Sequence, residues 1–74
     1  MAISRAQIVI ANANWVDVEY VVDSVVGMRG TFYTETMFND VWLVLENMNW
    51  QDVDEIDAAL VRAGFDVLEV RDIS

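Results

Sequence analysis

Hydrophobic residues in the second half of the chain recur every three or four positions, the spacing of one side of an α-helix. Asn49 stands just before this stretch as an N-cap, and Asp52 occupies the position at which an acidic side chain completes a capping box. Arg62 suits the negative end of the helix dipole, and Gly64 is a natural C-terminal stop. The pattern therefore predicts a helix whose apolar stripe is formed by Val53, Ile56, Leu60 and Ala63.

A repeat extends this prediction to the first half of the chain. The eleven residues from Ile8 to Val18 match the eleven from Leu43 to Val53 at an offset of 35, and both copies contain the segment Asn-x-Asn-Trp-x-Asp-Val. After Trp15 the first copy is rich in valine and could by itself form a strand. The repeat favours a helix that Gly27 would end, with an apolar stripe formed by Trp15, Val18, Val22 and Val25.

Strand-like apolar runs flank both predicted helices, at about residues 7–11, 31–38, 41–46 and 65–71. Asn39 and Asp40 are typical turn residues and predict a hairpin between the two halves. The order is then βαββαβ, which predicts an α+β, ferredoxin-like split βαβ fold with an antiparallel four-stranded sheet and two helices on one face. We expect a single domain over residues 1–74, with halves at approximately 5–38 and 41–73, and with the first and third strands in the centre.

Charge narrows the functional classes more than size does. The 74 residues include 13 acids, four arginines and no lysine, histidine or cysteine, for a formal net charge of -9. Nucleic acid and anionic membranes are disfavoured as partners, because both are bound through basic residues. No apolar run is long enough to cross a membrane, so a soluble, cytoplasmic protein is expected, in the host cytoplasm if the chain is viral.

The missing residue types also argue against catalysis. Without His, Cys or Lys, the usual general bases, thiolates and Schiff-base amines are absent, so no enzyme and no cofactor are expected. The acids around Asp54 lack the glycine and terminal glutamate of a calcium loop, so no metal site is expected. The run from Ile8 to Ala13 resembles the first-strand motif of RNA-recognition motif domains, but the third strand lacks the companion aromatic and basic residues.

Acidic residues concentrate on the two predicted helices, which this fold packs side by side. Such carboxylates could take the place of DNA phosphates and attract a basic host protein that binds nucleic acid. The chain is similar in charge and size to small acidic phage proteins that inhibit host enzymes acting on DNA, which implies an anti-CRISPR, anti-restriction or DNA-repair inhibitor. The predicted partner-binding acids are Asp17, Glu19, Asp23, Asp52, Asp54, Glu55 and Asp57.

The open face of the sheet supplies a competing hypothesis. If alternate residues such as Ile8 and Leu43 face the helices, then Val9, Trp42 and Val44 point to the other side. Such a patch would favour a structural module that forms a homodimer. The neighbouring edge strand would extend it in one of two registers, through Tyr33 and Glu35 or through Phe32 and Thr34. A third hypothesis is a small-ligand regulatory domain that uses the junctions at residues 12–14 and 47–49.

Overall fold

The computed structural model describes residues 5–26 and 30–74, and these residues adopt the predicted order of elements. The sheet has the strand order β2-β3-β1-β4, and all three neighbouring pairs are antiparallel. The ferredoxin-like α+β prediction is therefore confirmed, with the first and third strands in the centre. The elements are β1 (Arg5–Ala11), α1 (Trp15–Val26), β2 (Thr31–Met37), β3 (Asp40–Glu46), α2 (Trp50–Arg62) and β4 (Asp66–Asp72).

The repeated asparagines perform the same two tasks at both strand-helix junctions. Asn12 and Asn47 adopt positive φ values of 49° and 59°, a conformation that asparagine tolerates better than most residues. The side-chain oxygen of Asn14 accepts a hydrogen bond of 2.8 Å from the backbone N–H of Val16. Asn49 accepts one of 2.9 Å from the N–H of Asp52. The predicted N-caps are confirmed, whereas Gly27, the predicted end of α1, lies outside the described residues.

The hydrophobic core lies between the two helices and one face of the sheet. Alternate residues of β1 and β3 supply the sheet side, as the period of two in a strand requires. Helix α1 lies towards β2, helix α2 lies towards β4, and the two helices contact each other. The fully buried large side chains are Ile8, Ile10, Val18, Val22, Val41, Leu43, Leu45, Val53, Ile56 and Leu60.

The hairpin between the halves turns one residue earlier than the sequence predicts. Met37 pairs with Asp40, which leaves Phe38 and Asn39 as the two residues of the turn. Asp40 is therefore the first residue of β3. Its carboxylate accepts a 3.3 Å hydrogen bond from the backbone N–H of Asn12, so this side chain ties the hairpin to the end of β1.

Strand β4 contains an irregularity at its centre. Val9 pairs with Glu69, but the next residue, Ile10, pairs with Val67, so Leu68 is an extra residue that forms a β-bulge. Bulges of this kind make an edge strand a poorer template for pairing with another chain. Among the two edges of the sheet, β2 is therefore the more regular one.

Candidate functional site

The register of the strands decides which residues share the open face of the sheet. Tyr33 lies opposite Val44, and Glu35 lies opposite Trp42, so the first of the two predicted registers is the observed one. Val9 also lies opposite Trp42 from the other side. Phe32 instead packs against the core, on the face that carries the helices. The four predicted apolar residues, Val9, Trp42, Val44 and Tyr33, thus lie together on the open face.

Arg5 covers part of this face. Its Nε lies 3.3 Å from Oε2 of Glu46, and a terminal guanidinium nitrogen donates a hydrogen bond to the hydroxyl of Tyr33. Because Arg5 is on β1 and Tyr33 is on β2, the hydrogen bond passes over β3, which lies between them. Val44 is only 3% exposed and Val9 only 8% exposed. The apolar surface that remains on this face belongs to Trp42 and Tyr33, which are partly exposed, and to Met37, which is 41% exposed and lies two residues from Glu35 along β2.

The seven acids predicted to bind a partner differ widely in exposure. Asp17, Asp23, Asp54 and Glu55 are exposed, and Glu19 and Asp57 are partly buried. Asp52 is buried, with 8% of its surface exposed, in the first turn of α2. Its position close to the helix N-terminus is one where a carboxylate stabilises the helix dipole. Asp52 therefore offers little surface to a partner.

The acids of α1 lie on different sides of the helix. The Glu19 carboxylate accepts a 2.9 Å hydrogen bond from the hydroxyl of Thr34, so it faces β2. Asp17 lines a groove with Ala63 and Gly64, which follow α2. Two residues along a helix correspond to about 200° of rotation, which explains why Asp17 and Glu19 point in nearly opposite directions. The negative charge consequently spreads around the helical layer and is not confined to one side.

The groove beside Asp17 is a broad concavity in the described part of the chain. It has a volume of about 580 Å³ and lies at the end of the sheet where β1 finishes and β4 begins. A second acid, Asp66, lines it opposite α1, and Tyr20 stands at its side. Sequence reasoning missed Asp66. The predicted strand order contained the signal, since it places the start of the fourth strand beside the end of the first.

Six carboxylates have no hydrogen bond or ion pair within residues 5–26 and 30–74. Two arginines in the same ranges already form ion pairs with glutamates. Arg5 pairs with Glu46 at 3.3 Å, and Arg71 pairs with Glu69 at 2.7 Å. The described surface therefore carries acids that internal cations do not compensate. These six acids are Asp17, Asp23, Glu35, Asp54, Asp57 and Asp66.

One carboxyl group near the C-terminal end is held by its neighbours. Hydrogen bonds from the side chain and backbone of Ser74 lower the pKa of Asp72.

Within the described ranges, no group of three or more potential ligands is arranged to hold a metal ion. No helix there is both long enough and apolar enough to span a bilayer.

Comparisons with protein-family models, with curated proteins and with solved structures find no match to this chain.

Proposed function

We propose that this protein is a non-enzymatic acidic binding protein whose partner is a basic protein that binds nucleic acid. The observation that supports this most directly is the set of six carboxylates that have no partner among the described residues, while two arginines there are already bonded to glutamates. Removing these acids from water without a counter-charge would be costly, but a basic groove supplies the counter-charge. The carboxylates then occupy the places of DNA phosphates.

The magnitude of the charge defines what such mimicry requires. The molecule is 32 Å long, and duplex DNA of that length carries about 19 phosphates. The chain carries a formal net charge of -9, or about half as much. Long-range attraction alone would therefore bring the partner close without outcompeting DNA at equal length. Direct contacts must supply the rest of the affinity.

The open sheet face has weaker support as the functional surface. Its two valines, Val9 and Val44, are buried within the chain, and the hydrogen bond between Arg5 and Tyr33 crosses the strand that carries Val44. Stable interfaces bury well-packed apolar centres, whereas the exposed apolar surface here, from Trp42, Tyr33 and Met37, lies beside valines that are already buried. Assembly of a homodimer through this face thus remains a prediction with less support than the acidic surface.

A displacement experiment tests the proposal. A short fluorescent DNA duplex is bound to a restriction endonuclease, a CRISPR nuclease and a DNA-repair glycosylase, and the acidic protein is titrated in. We expect release of DNA from at least one of them at about 50 mM salt. Direct binding of the acidic protein to that enzyme, measured without DNA, should weaken between about 50 mM and about 200 mM salt, because salt screens charge contacts. Failure to release DNA from every enzyme, or direct binding that salt does not weaken, would rule out phosphate mimicry for these classes.

A matched pair of variants separates specific contacts from total charge. The first variant neutralises four acids that have no partner within residues 5–26 and 30–74: Asp17→Asn, Asp23→Asn, Asp54→Asn and Asp57→Asn. The second removes the same charge from four acids that are already bonded: Glu19→Gln, Glu46→Gln, Glu69→Gln and Asp72→Asn. We expect the first to lose at least about tenfold more affinity than the second. Equal losses would mean that the carboxylates without partners make no special contact.

A further inference from the structure

The tip of the hairpin between β2 and β3 carries an aromatic residue that does not pack against the rest of the protein. Phe38 is 97% exposed, so its ring has almost no contact with the rest of the protein. Its φ is +58°, whereas Asn39 has no positive φ, which is the pattern of a type II′ turn. Glycine is preferred at the first position of that turn, because a side chain is strained there. Neither packing nor backbone preference accounts for a phenylalanine at residue 38.

The turn that presents Phe38 is fixed on both sides. Met37 pairs with Asp40 at the base of the hairpin, and the carbonyl of Asn39 accepts a 3.0 Å hydrogen bond from the backbone N–H of Ala13. The Asp40 carboxylate accepts a second hydrogen bond from the N–H of Asn12. The ring is therefore held out from the molecule on an ordered support. A partner that binds it has little ordering cost to overcome.

The acidic groove lies at the same end of the molecule. Asn12 lines both this groove and a shallow hollow beside Phe38. Phe38 directly follows β2, and three strand spacings separate β2 from β4, so Phe38 and the start of β4 are about 14 Å apart across the sheet. Asp17 and Asp66, neither of which has a partner in the part of the chain that the structure describes, line the groove. One surface thus combines a protruding aromatic ring with a negatively charged cleft.

We infer that this end of the molecule, with Phe38 as its apolar anchor, is the docking surface for the basic partner. The inference rests on the proposed function and specifies the partner's surface: an apolar pocket that receives Phe38, bordered by arginine side chains. One arginine enters the groove, where Asp17 and Asp66 bind its guanidinium group and the Tyr20 ring offers a face for a cation-π contact. These contacts supply the affinity that net charge alone does not.

Charge selects a basic protein over the other possible occupants. A second copy of the chain would bring the same net charge of -9 against the groove, and like charges repel. An anionic lipid surface is disfavoured for the same reason. A partner with arginines around an apolar pocket satisfies both the ring and the two carboxylates.

The substitution Phe38→Gly tests the inference without the usual risk of unfolding. Glycine suits the positive φ, so the midpoint of thermal unfolding should stay unchanged or rise. In the DNA displacement assay we expect this variant to lose at least about tenfold in affinity for the enzyme that the wild type displaces. Leu68→Ser is the control, because it removes another exposed apolar side chain, in β4, and should leave affinity unchanged.

A small probe tests the surface independently of any enzyme. Aminated β-cyclodextrin has an apolar cavity ringed by ammonium groups, and unmodified β-cyclodextrin is its neutral counterpart. In NMR titrations we expect the aminated form to shift the amide signals of Phe38 and Asn39 and to bind about tenfold more tightly than the neutral form. Phe38→Gly should abolish these shifts. The double variant Asp17→Asn, Asp66→Asn should bring the aminated form to the affinity of the neutral one.

The outcomes distinguish the inference from the proposed function. If Phe38→Gly releases DNA as well as the wild type does, the docking surface is wrong and the acidic binding function stands. If the wild type displaces DNA from none of the enzymes, the proposed function fails and the cyclodextrin titration decides the surface. Unchanged binding of the aminated form by Phe38→Gly would then overturn the docking surface, and lost binding would retain it for a basic partner of another class.

Discussion

At the scale of single residues, backbone conformation explains several choices that the hydrophobic pattern leaves open. Asn12 and Asn47 take positive φ values at equivalent places in the repeat, and Gly64 takes one of +95° after α2. Gly30 is needed for a different reason. An added Cβ there would lie 2.9 Å from the carbonyl oxygen of Glu46. The positive φ thus favours glycine at residue 64, whereas the lack of room for a Cβ atom requires glycine at residue 30.

We predict that asparagine will distinguish these two glycines. Gly64→Asn should cost less than about 1 kcal/mol in free energy of unfolding, because asparagine tolerates a positive φ and no atom lies within 4 Å of the added Cβ. Gly30→Asn should cost more than about 2 kcal/mol, since the backbone at Glu46 cannot move as a flexible side chain can. Urea unfolding of both variants measures the difference. Equal costs would contradict this explanation.

At the scale of elements, the open sheet face shows that a side chain from a neighbouring strand can cover residues that the strand pattern predicts to be exposed. Alternation correctly placed Val9, Trp42 and Val44 on this face, and the pairing of β2 with β3 added Tyr33. The alternation of residues along the strands did not predict the hydrogen bond that Arg5 donates to Tyr33 across β3. That contact depends on which strands are neighbours, because Arg5 and Tyr33 are 28 residues apart in the chain.

We predict that Arg5→Ala will expose the sheet face and promote self-association. The variant loses the ion pair with Glu46 and the hydrogen bond to Tyr33, and so it uncovers Val44. The loss in free energy of unfolding should be below about 1 kcal/mol, since the ion pair is partly exposed. Sedimentation velocity should show dimers or larger species, and adding Trp42→Asp should reverse them.

The control for this experiment is Arg71→Ala. It removes the same charge and breaks the ion pair with Glu69, but Arg71 lies on the edge strand β4 and has no hydrogen bond across β3. We expect it to stay monomeric. If both arginine variants sediment alike, charge rather than shielding governs the association of this face.

At the scale of the whole molecule, net charge is the dominant property. A formal charge of -9 on 74 residues produces mutual repulsion among carboxylates, with few internal cations to offset it. The fold spreads these acids around the helical layer and onto β2 and β4. This lowers local repulsion, but it leaves a field that attracts basic surfaces from several directions.

We predict that salt will stabilise this protein at neutral pH. Raising the salt concentration from about 10 mM to about 150 mM shortens the Debye length from about 30 Å to about 8 Å, so repulsion across a 32 Å molecule is largely screened. The midpoint of thermal unfolding should therefore rise at pH 7. Near pH 4.1, the pI calculated from the sequence, the same salt change should have little effect. A midpoint that salt lowers at pH 7 would contradict dominant repulsion.

The sequence by itself determined the order of elements, because helix and strand periods and the capping signals are local properties of the chain. The repeat even resolved the valine-rich segment after Trp15, since it linked that segment to a helix with clearer signals. The hairpin position was predicted to within one residue. The one-residue error arose because Phe38 is the first residue of the turn and has a positive φ, which phenylalanine rarely adopts.

Tertiary structure decided which side chains are available to a partner. Asp17 and Glu19 are close in sequence but separate around the helix, and Asp66 joins Asp17 only because β4 pairs with β1. Val44 is likewise only 3% exposed although it lies on the open face, where Arg5 of β1 bonds Tyr33 of β2 across the strand that carries Val44. Exposure and proximity are properties of the packed molecule, whereas local conformation is encoded in short segments. The pattern of residues therefore predicts this fold well, and the candidate site follows only from how its elements pack.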